Sequence, residues 1–182
     1  AAVYGESEAD IKLTEKSKIN PISPYGESKA MMENEIKIFE ENHDVNYVIL
    51  RFFNIYGIGQ SPEYAGVITK FVKKIELNKS LEIFGDGMQT RDFISINDVV
   101  DSIYNSIQNG KNQIYNIASG KTITIKELAE LMISLSKRDL KIIYNDIKKG
   151  DIKFSQADIS LAKKELDYLP KNSLESIKNL LN

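Results

Sequence analysis

This chain predicts an α/β fold, and three observations carry the prediction. Apolar runs of strand length alternate with helical patterns from end to end, and turn-forming glycines punctuate them. One run, "VNYVILRFF" (45–53), is β-branched and aromatic without polar alternation, as in a strand covered on both faces. With 182 residues, 42% of them hydrophobic, there is enough chain and apolar surface for one sizeable core, or for a domain plus part of another.

The elements follow in order. "AAVYG" (1–5) looks like the end of a strand, and a chain opening there without Met is expected to be a fragment lacking its N-terminal part. Ser23 suits an N-cap and Pro24 the first helical position, so a helix is expected through "SPYGESKAMMENEIKIFEEN" (23–42). Steps of four and three from Tyr25 give Lys29, Met32, Ile36 and Phe39, a core-facing stripe broken only by the lysine. The strand 45–53 comes next, then a glycine-punctuated loop, "NIYGIGQSPEYAG" (54–66). "VITKFVKKIEL" has helical spacing, and "LEIFGDGMQTRDFISI" reads as strand, Gly-Asp-Gly turn, strand. Asn97 is expected to cap a helix through "DVVDSIYNSIQ" that Gly110 stops. "QIYNIAS" is a short strand, and Thr124 with Glu127 has capping-box spacing ahead of the amphipathic "IKELAELMISLSK". "LKIIYND" is a strand, and "DISLAKKELDYLP" and "SLESIKNLL" are expected as short closing helices.

Composition narrows the function. A net charge of −2 gives no basic field for nucleic acid, and no apolar run approaches the roughly 18 residues of a membrane span. The absence of Cys removes disulfides and thiolate metal sites and suits a cytoplasmic address. The only histidine, His43, falls where the first helix should end and is expected in a loop.

Chemistry centres on Tyr25 and Lys29. The chain has nine Tyr, and 21 of its 24 basic residues are Lys, so chance alone gives about one Tyr-x-x-x-Lys; the chain has two, the second being Tyr144–Lys148. Context decides between them. "AAVYG", "SPYGESK", "LRFFNIYG", "LEIFGDGMQTRDF" and "KKGDIKFSQADIS", in this order, resemble the C-terminal half of an extended short-chain dehydrogenase/reductase. The resemblance covers essentially the whole chain and is nearest the UDP-glucose 4-epimerase branch of the nucleotide-sugar enzymes. Tyr144–Lys148 has no such context and reads as the chance pair.

The resemblance implies a Rossmann-like doubly wound parallel sheet, here only its C-terminal part, plus a smaller α/β substrate-binding domain. Residues 1–56 would end the NAD-binding domain, with the Tyr-x-x-x-Lys helix. Residues 57–182 would mainly bind the nucleotide sugar, with about 90–118 returning to the sheet. Tyr25 would be the general base at the sugar 4-hydroxyl while NAD takes the C4 hydride. A phenol is a weak base at neutral pH, and an ammonium one helical turn away stabilises the phenolate. Lys29 would also hold the nicotinamide ribose, and Phe53 would lie near the nicotinamide. The family's Ser/Thr before Ala1 and its Gly-rich phosphate-binding turn lie outside the chain, so no turnover is expected from it alone.

For the substrate, the resemblance implies a hydrogen bond from Asn54 and a uracil pocket lined by Val67 and Phe84. Arg91 would grip the diphosphate, a natural role for a planar guanidinium and one of only three Arg here. Asp151 would hold the ribose or its neighbourhood. Lys148 stands where relatives usually have Arg, keeping the charge and losing the fork. Ser155 would border the sugar C2 substituent and leave room for an N-acetyl group. Ala1 and Ala2 replace the Asp-Glu pair of 4,6-dehydratases and so favour epimerisation. The expected reaction is NAD-dependent 4-epimerisation of a UDP-hexose, with a homodimer through the Tyr-x-x-x-Lys helix. The rivals are a reductase or dehydratase of the same family and a non-catalytic nucleotide-sugar or NAD-binding module.

Overall fold

Strand pairing, more than local propensity, shapes this protein. The computed structural model describes residues 1–61, 66–148, 150–172 and 174–181. In chain order the elements are α1 (Pro24–His43), β1 (Val48–Phe52), β2 (Asn54–Tyr56), α2 (Val67–Glu76), β3 (Leu81–Phe84), β4 (Thr90–Ser95) and α3 (Ile96–Asn109). They continue with β5 (Gln113–Ile117), β6 (Thr122–Thr124), α4 (Ile125–Ser136), β7 (Ile142–Asn145), α5 (Ser160–Glu165) and a closing 3₁₀ helix (Leu174–Leu180). The class is the expected mixed α/β, built on parallel pairs. β1 runs parallel to β5, from Val48 opposite Gln113 to Phe52 opposite Ile117, and β3 runs parallel to β7. β2 lies parallel to β4, whose other edge takes β6 antiparallel.

Two clusters form the interior. Val3, Tyr4, Phe53, Ile94, Val99, Tyr115, Ile117 and Tyr168 gather around the β1–β5 pair. Phe71, Leu81, Ile83, Leu128, Met132 and Ile177 gather around β3, α2 and α4. Each such side chain contributes about 1.5–3 kcal/mol on leaving water. A bridge between Leu13 and Ala157 draws the extended segment 151–158 against the N-terminal region. The Leu13 N–H donates to the Gln156 carbonyl and the Asp158 N–H to the Leu13 carbonyl, both at 2.8 Å.

Several expectations change. The stripe through Tyr25, Met32 and Phe39 does not face the core, since these are 64%, 51% and 52% exposed. The buried positions of α1 are Gly26 and Glu33. A Cβ on Gly26 would stand 2.6 Å from the Ala2 carbonyl oxygen and 2.9 Å from Pro21 Cβ, so α1 lies too close there for any side chain. Glu33 instead receives a two-pronged bond from Arg51, Nε to Oε1 at 2.8 Å and Nη2 to Oε2 at 2.6 Å. Arg51 Nη1 also donates to the Tyr4 hydroxyl (2.7 Å) and the Glu15 carbonyl (3.1 Å), and that hydroxyl donates to Asn116 Oδ1 (2.6 Å). Burial alone would lower the Arg51 guanidinium, but its bonds to Glu33 and Tyr4 leave it raised. The "VILRF" strand therefore buries Ile49 and Arg51 while Val48, Leu50 and Phe52 are half-buried, so it is not an all-apolar strand.

The loop expected at 54–66 begins as strand β2, because "NIY" finds β4 to pair with; residues 62–65 lie outside the described residues. β6 was not expected either, and it too depends on β4. Ser95, not Asn97, caps α3, its hydroxyl accepting from the Asn97 N–H at 3.3 Å. His43 closes α1 instead of lying in a loop, its ring stacked on Phe39 at 4.1 Å. The last segment is a 3₁₀ turn, not an α-helix, and Ser173 at its start lies outside the described residues. The capping box of α4 forms as expected, with Thr124 and Glu127 exchanging bonds.

Candidate active site

A cavity of about 1160 Å³ opens between the two clusters. Phe53 reaches it from the first, and Ile68, Phe71, Ile83 and Phe93 from the second. Eight of the ten expected site residues line it: Tyr25, Phe53, Asn54, Val67, Phe84, Arg91, Lys148 and Asp151. They come from α1, the residue that joins β1 to β2, β2, α2, β3, β4 and the segment after β7, so only the tertiary fold brings them together.

Tyr25 is the second residue of α1, placed by the Ser23 cap, whose hydroxyl accepts from the Gly26 N–H at 3.1 Å. Its ring is open to solvent at the cavity edge. Lys29 is not a lining residue; its ammonium lies 5.4 Å from the Tyr25 ring centroid and also reaches Met32 Sδ at 3.6 Å. The pair thus shares one side of the helix, as the i, i+4 spacing requires. Tyr144, of the other Tyr-x-x-x-Lys, is on strand β7, half exposed, and is not among the lining residues.

Asn54 opens β2 opposite Phe93, and its Nδ2 donates to the Asp92 carbonyl at 3.0 Å. The neighbouring Arg91 side chain is 13% exposed. It donates from Nη1 to the Thr90 carbonyl at 2.8 Å and from Nη2 to Asp151 Oδ1 at 2.5 Å. Burial pushes its guanidinium below the ordinary value, and Asp151 opposes that. Lys148 Nζ lies 3.7 Å from the centroid of the Phe84 ring, a cation–π contact inside the cavity. Ser155 is elsewhere: it is buried in segment 151–158 and does not line the cavity.

Sequence reasoning missed three groups. Gln89 donates from Nε2 to the Phe84 carbonyl at 2.9 Å and approaches Asp151 Oδ2 at 3.5 Å. Its position two residues before Arg91 was the available signal. Lys70, Lys73 and Lys74 line the cavity from α2, and their cluster in "VITKFVKKIEL" was visible. Asp92 is fully buried, and its carboxylate accepts from the Ser119 N–H and hydroxyl (2.9 and 2.6 Å) and the Gly120 and Ala157 N–H groups (3.1 and 3.3 Å). Burial raises its carboxyl to about 6, against the pull of those donors. It ties β4 to the turn after β5 and to segment 151–158.

The profile of the NAD dependent epimerase/dehydratase family matches residues 1–118. The chain belongs to this family. A Methanocaldococcus jannaschii protein with a provisional UDP-glucose 4-epimerase name is 38% identical over all of this family member and 59% of its own length. The human dTDP-D-glucose 4,6-dehydratase is 37% identical over 74% of the chain and 38% of its own length. Among solved structures, the Thermotoga maritima UDP-glucose 4-epimerase with UDP-glucose superposes at a TM-score of 0.94 with 34% identity, over 99% of this chain and 59% of that one. This epimerase/dehydratase-family chain therefore spans somewhat over half the length of its epimerase relatives, and it shares their Rossmann-like fold.

Proposed function

We propose that the protein catalyses NAD-dependent 4-epimerisation of a UDP-hexose and that this chain supplies the Tyr/Lys pair and most of the nucleotide-sugar pocket. The observation that carries the reading is the cavity, where a phenol, an amide and a partly buried guanidinium converge from distant parts of the chain. Residues 1–56 then close the NAD domain and 57–182 mainly form the sugar-nucleotide domain, with about 90–118 in the sheet. UDP-glucose and UDP-galactose are the first candidates, and their N-acetylated counterparts the second.

Tyr25, with the Lys29 ammonium beside its ring and Phe53 facing the same space, suits the nicotinamide side of an NAD site. NAD, when bound, supplies the acceptor and later the donor of the C4 hydride. This chain's own residues take the following parts. Tyr25, as the phenolate that the Lys29 ammonium stabilises, takes the proton from the 4-hydroxyl, and as the phenol gives it back when the hydride returns. Phe53 and Phe93 keep water from one wall, and Asn54 holds the sugar. Arg91 and Lys148 bind the diphosphate, the first through its fork and the second as a point charge. Val67 and Phe84 receive the uracil and Asp151 the ribose side.

The dehydratase likeness favours a second reading, elimination of water from a dTDP-hexose. Ala1 and Ala2 speak for the first, because neither side chain can donate or accept a proton. No described helix is long and apolar enough to cross a membrane. A cytoplasmic homodimer paired through α1 fits this reading. Incubating the full-length protein with NAD and UDP-glucose, and separately with dTDP-glucose, decides between the reactions. UDP-galactose as the product supports the proposal, and a 4-keto-6-deoxy product overturns it.

A further inference from the structure

The cavity meets its ligand with Arg91 already engaged. Nη2 holds Asp151 at 2.5 Å and Nη1 holds the Thr90 carbonyl at 2.8 Å, so an incoming anion finds a paired guanidinium. The pair is partly desolvated, with the two side chains 13% and 35% exposed, so it is stronger than a surface ion pair. Glu6 adds a further negative field at Arg91. Asp151 is also the partner with freedom to leave. Among the described residues its second oxygen has only the 3.5 Å approach of Gln89, and it follows Gly150, whose φ of 81° is a backbone setting glycine adopts at little cost. Lys148, by contrast, has no ion pair among the described residues and rests on the Phe84 ring.

We propose that Asp151 is an internal counter-anion that occupies the phosphate position at Arg91 and must be displaced by any ligand. This rests on the reading of Arg91 as the diphosphate clamp and adds a specificity role for Asp151. A simple anion gains Arg91 only by stranding a carboxylate, so the empty site stays closed to free phosphate and pyrophosphate. A sugar nucleotide brings base contacts, and ribose hydroxyls that can donate to the released Asp151. The site is thereby restricted to ligands offering more than phosphate, with no change to its positive charges.

Inorganic pyrophosphate is the deciding probe, because it has neither ribose nor base. By calorimetric titration, Asp151→Asn should bind pyrophosphate about tenfold more tightly than the parent does, a change of one charge-assisted contact. UDP should gain less, roughly two- to threefold, since its ribose compensates the parent's carboxylate. Uridine should not change. In an Arg91→Ala background the Asn substitution should give pyrophosphate no gain, because there is no guanidinium to release. Unchanged or weaker pyrophosphate binding in Asp151→Asn overturns the proposal, as does an equal gain in the Arg91→Ala background. Failure of the underlying reading looks different: UDP would then bind Arg91→Ala and parent alike.

Discussion

Replacing Arg51 with Met tests whether a buried ion pair, and not an apolar stripe, seats the helix that carries Tyr25. The substitution keeps an unbranched apolar stem and removes a guanidinium that is 4% exposed, together with its four donated bonds. Glu33, 12% exposed, is left as a buried carboxylate without its cation. The Tyr4 hydroxyl keeps its acceptor on Asn116, so the damage concentrates on the Glu33 side. Removing one partner of a buried pair costs about 3–5 kcal/mol. Replacing both should cost far less, because well-packed apolar residues of similar volume are about as stable as a buried pair. Glu33→Leu combined with Arg51→Met should therefore recover most of the loss. Urea unfolding followed by far-ultraviolet circular dichroism measures this. With a slope of about 2 kcal/mol/M, Arg51→Met should lower the midpoint by about 2 M, and the double variant should lie much nearer the parent. A single variant within about 1 kcal/mol of the parent would refute the argument, and so would a double variant no better than the single.

In the full-length protein, Tyr25→Phe should lower the turnover of the proposed 4-epimerisation by roughly 10²–10⁴-fold while UDP affinity stays near the parent's, as steady-state kinetics and calorimetry would show. Arg91→Ala should weaken UDP by about ten- to hundredfold and leave uridine binding unchanged, with Arg91→Lys recovering only part. Asp92, with a folded value near 6 against an ordinary 3.8, holds its proton more tightly folded than unfolded. Its contribution is thus fully present below about pH 4 and is lost as pH rises through 6, a fall of about 3 kcal/mol at most. Asp92→Asn should flatten that stretch of the stability–pH curve. Gly26→Ala should cost about 1–3 kcal/mol in the urea assay, because the added methyl meets the Ala2 carbonyl.

What could be read from sequence was what nearby residues decide. The α4 capping box needs only Thr124 and Glu127, three positions apart, and it formed as expected. β2 and β6 are three residues each and are strands only because β4 lies between them, which no local pattern announces. The α1 stripe misled because its apolar residues were assumed to face inward. The position that does, Glu33, is charged and finds its partner 18 residues away in Arg51. The site divides in the same manner. Its members were named through motifs that resemble a family, and the fold gathers eight of them around one cavity. Gln89, Asp92 and the lysines of α2 escaped because their importance lies in who stands opposite.

The Leu13–Ala157 bridge also dictates the order in which the molecule can be finished. Glu6, Ser7 and Leu13 bind the Lys153 N–H, the Phe154 carbonyl and the backbone around Ala157, across about 145 positions of chain. On a ribosome adding about 5–20 residues per second, the early segment waits on the order of ten seconds for its partner to be made. β1, α2, β3 and β4 have all emerged by then. Because Asp151 begins the late segment, Arg91 waits for that counter-charge until some 60 further residues have been made, and until then the cavity lacks one wall.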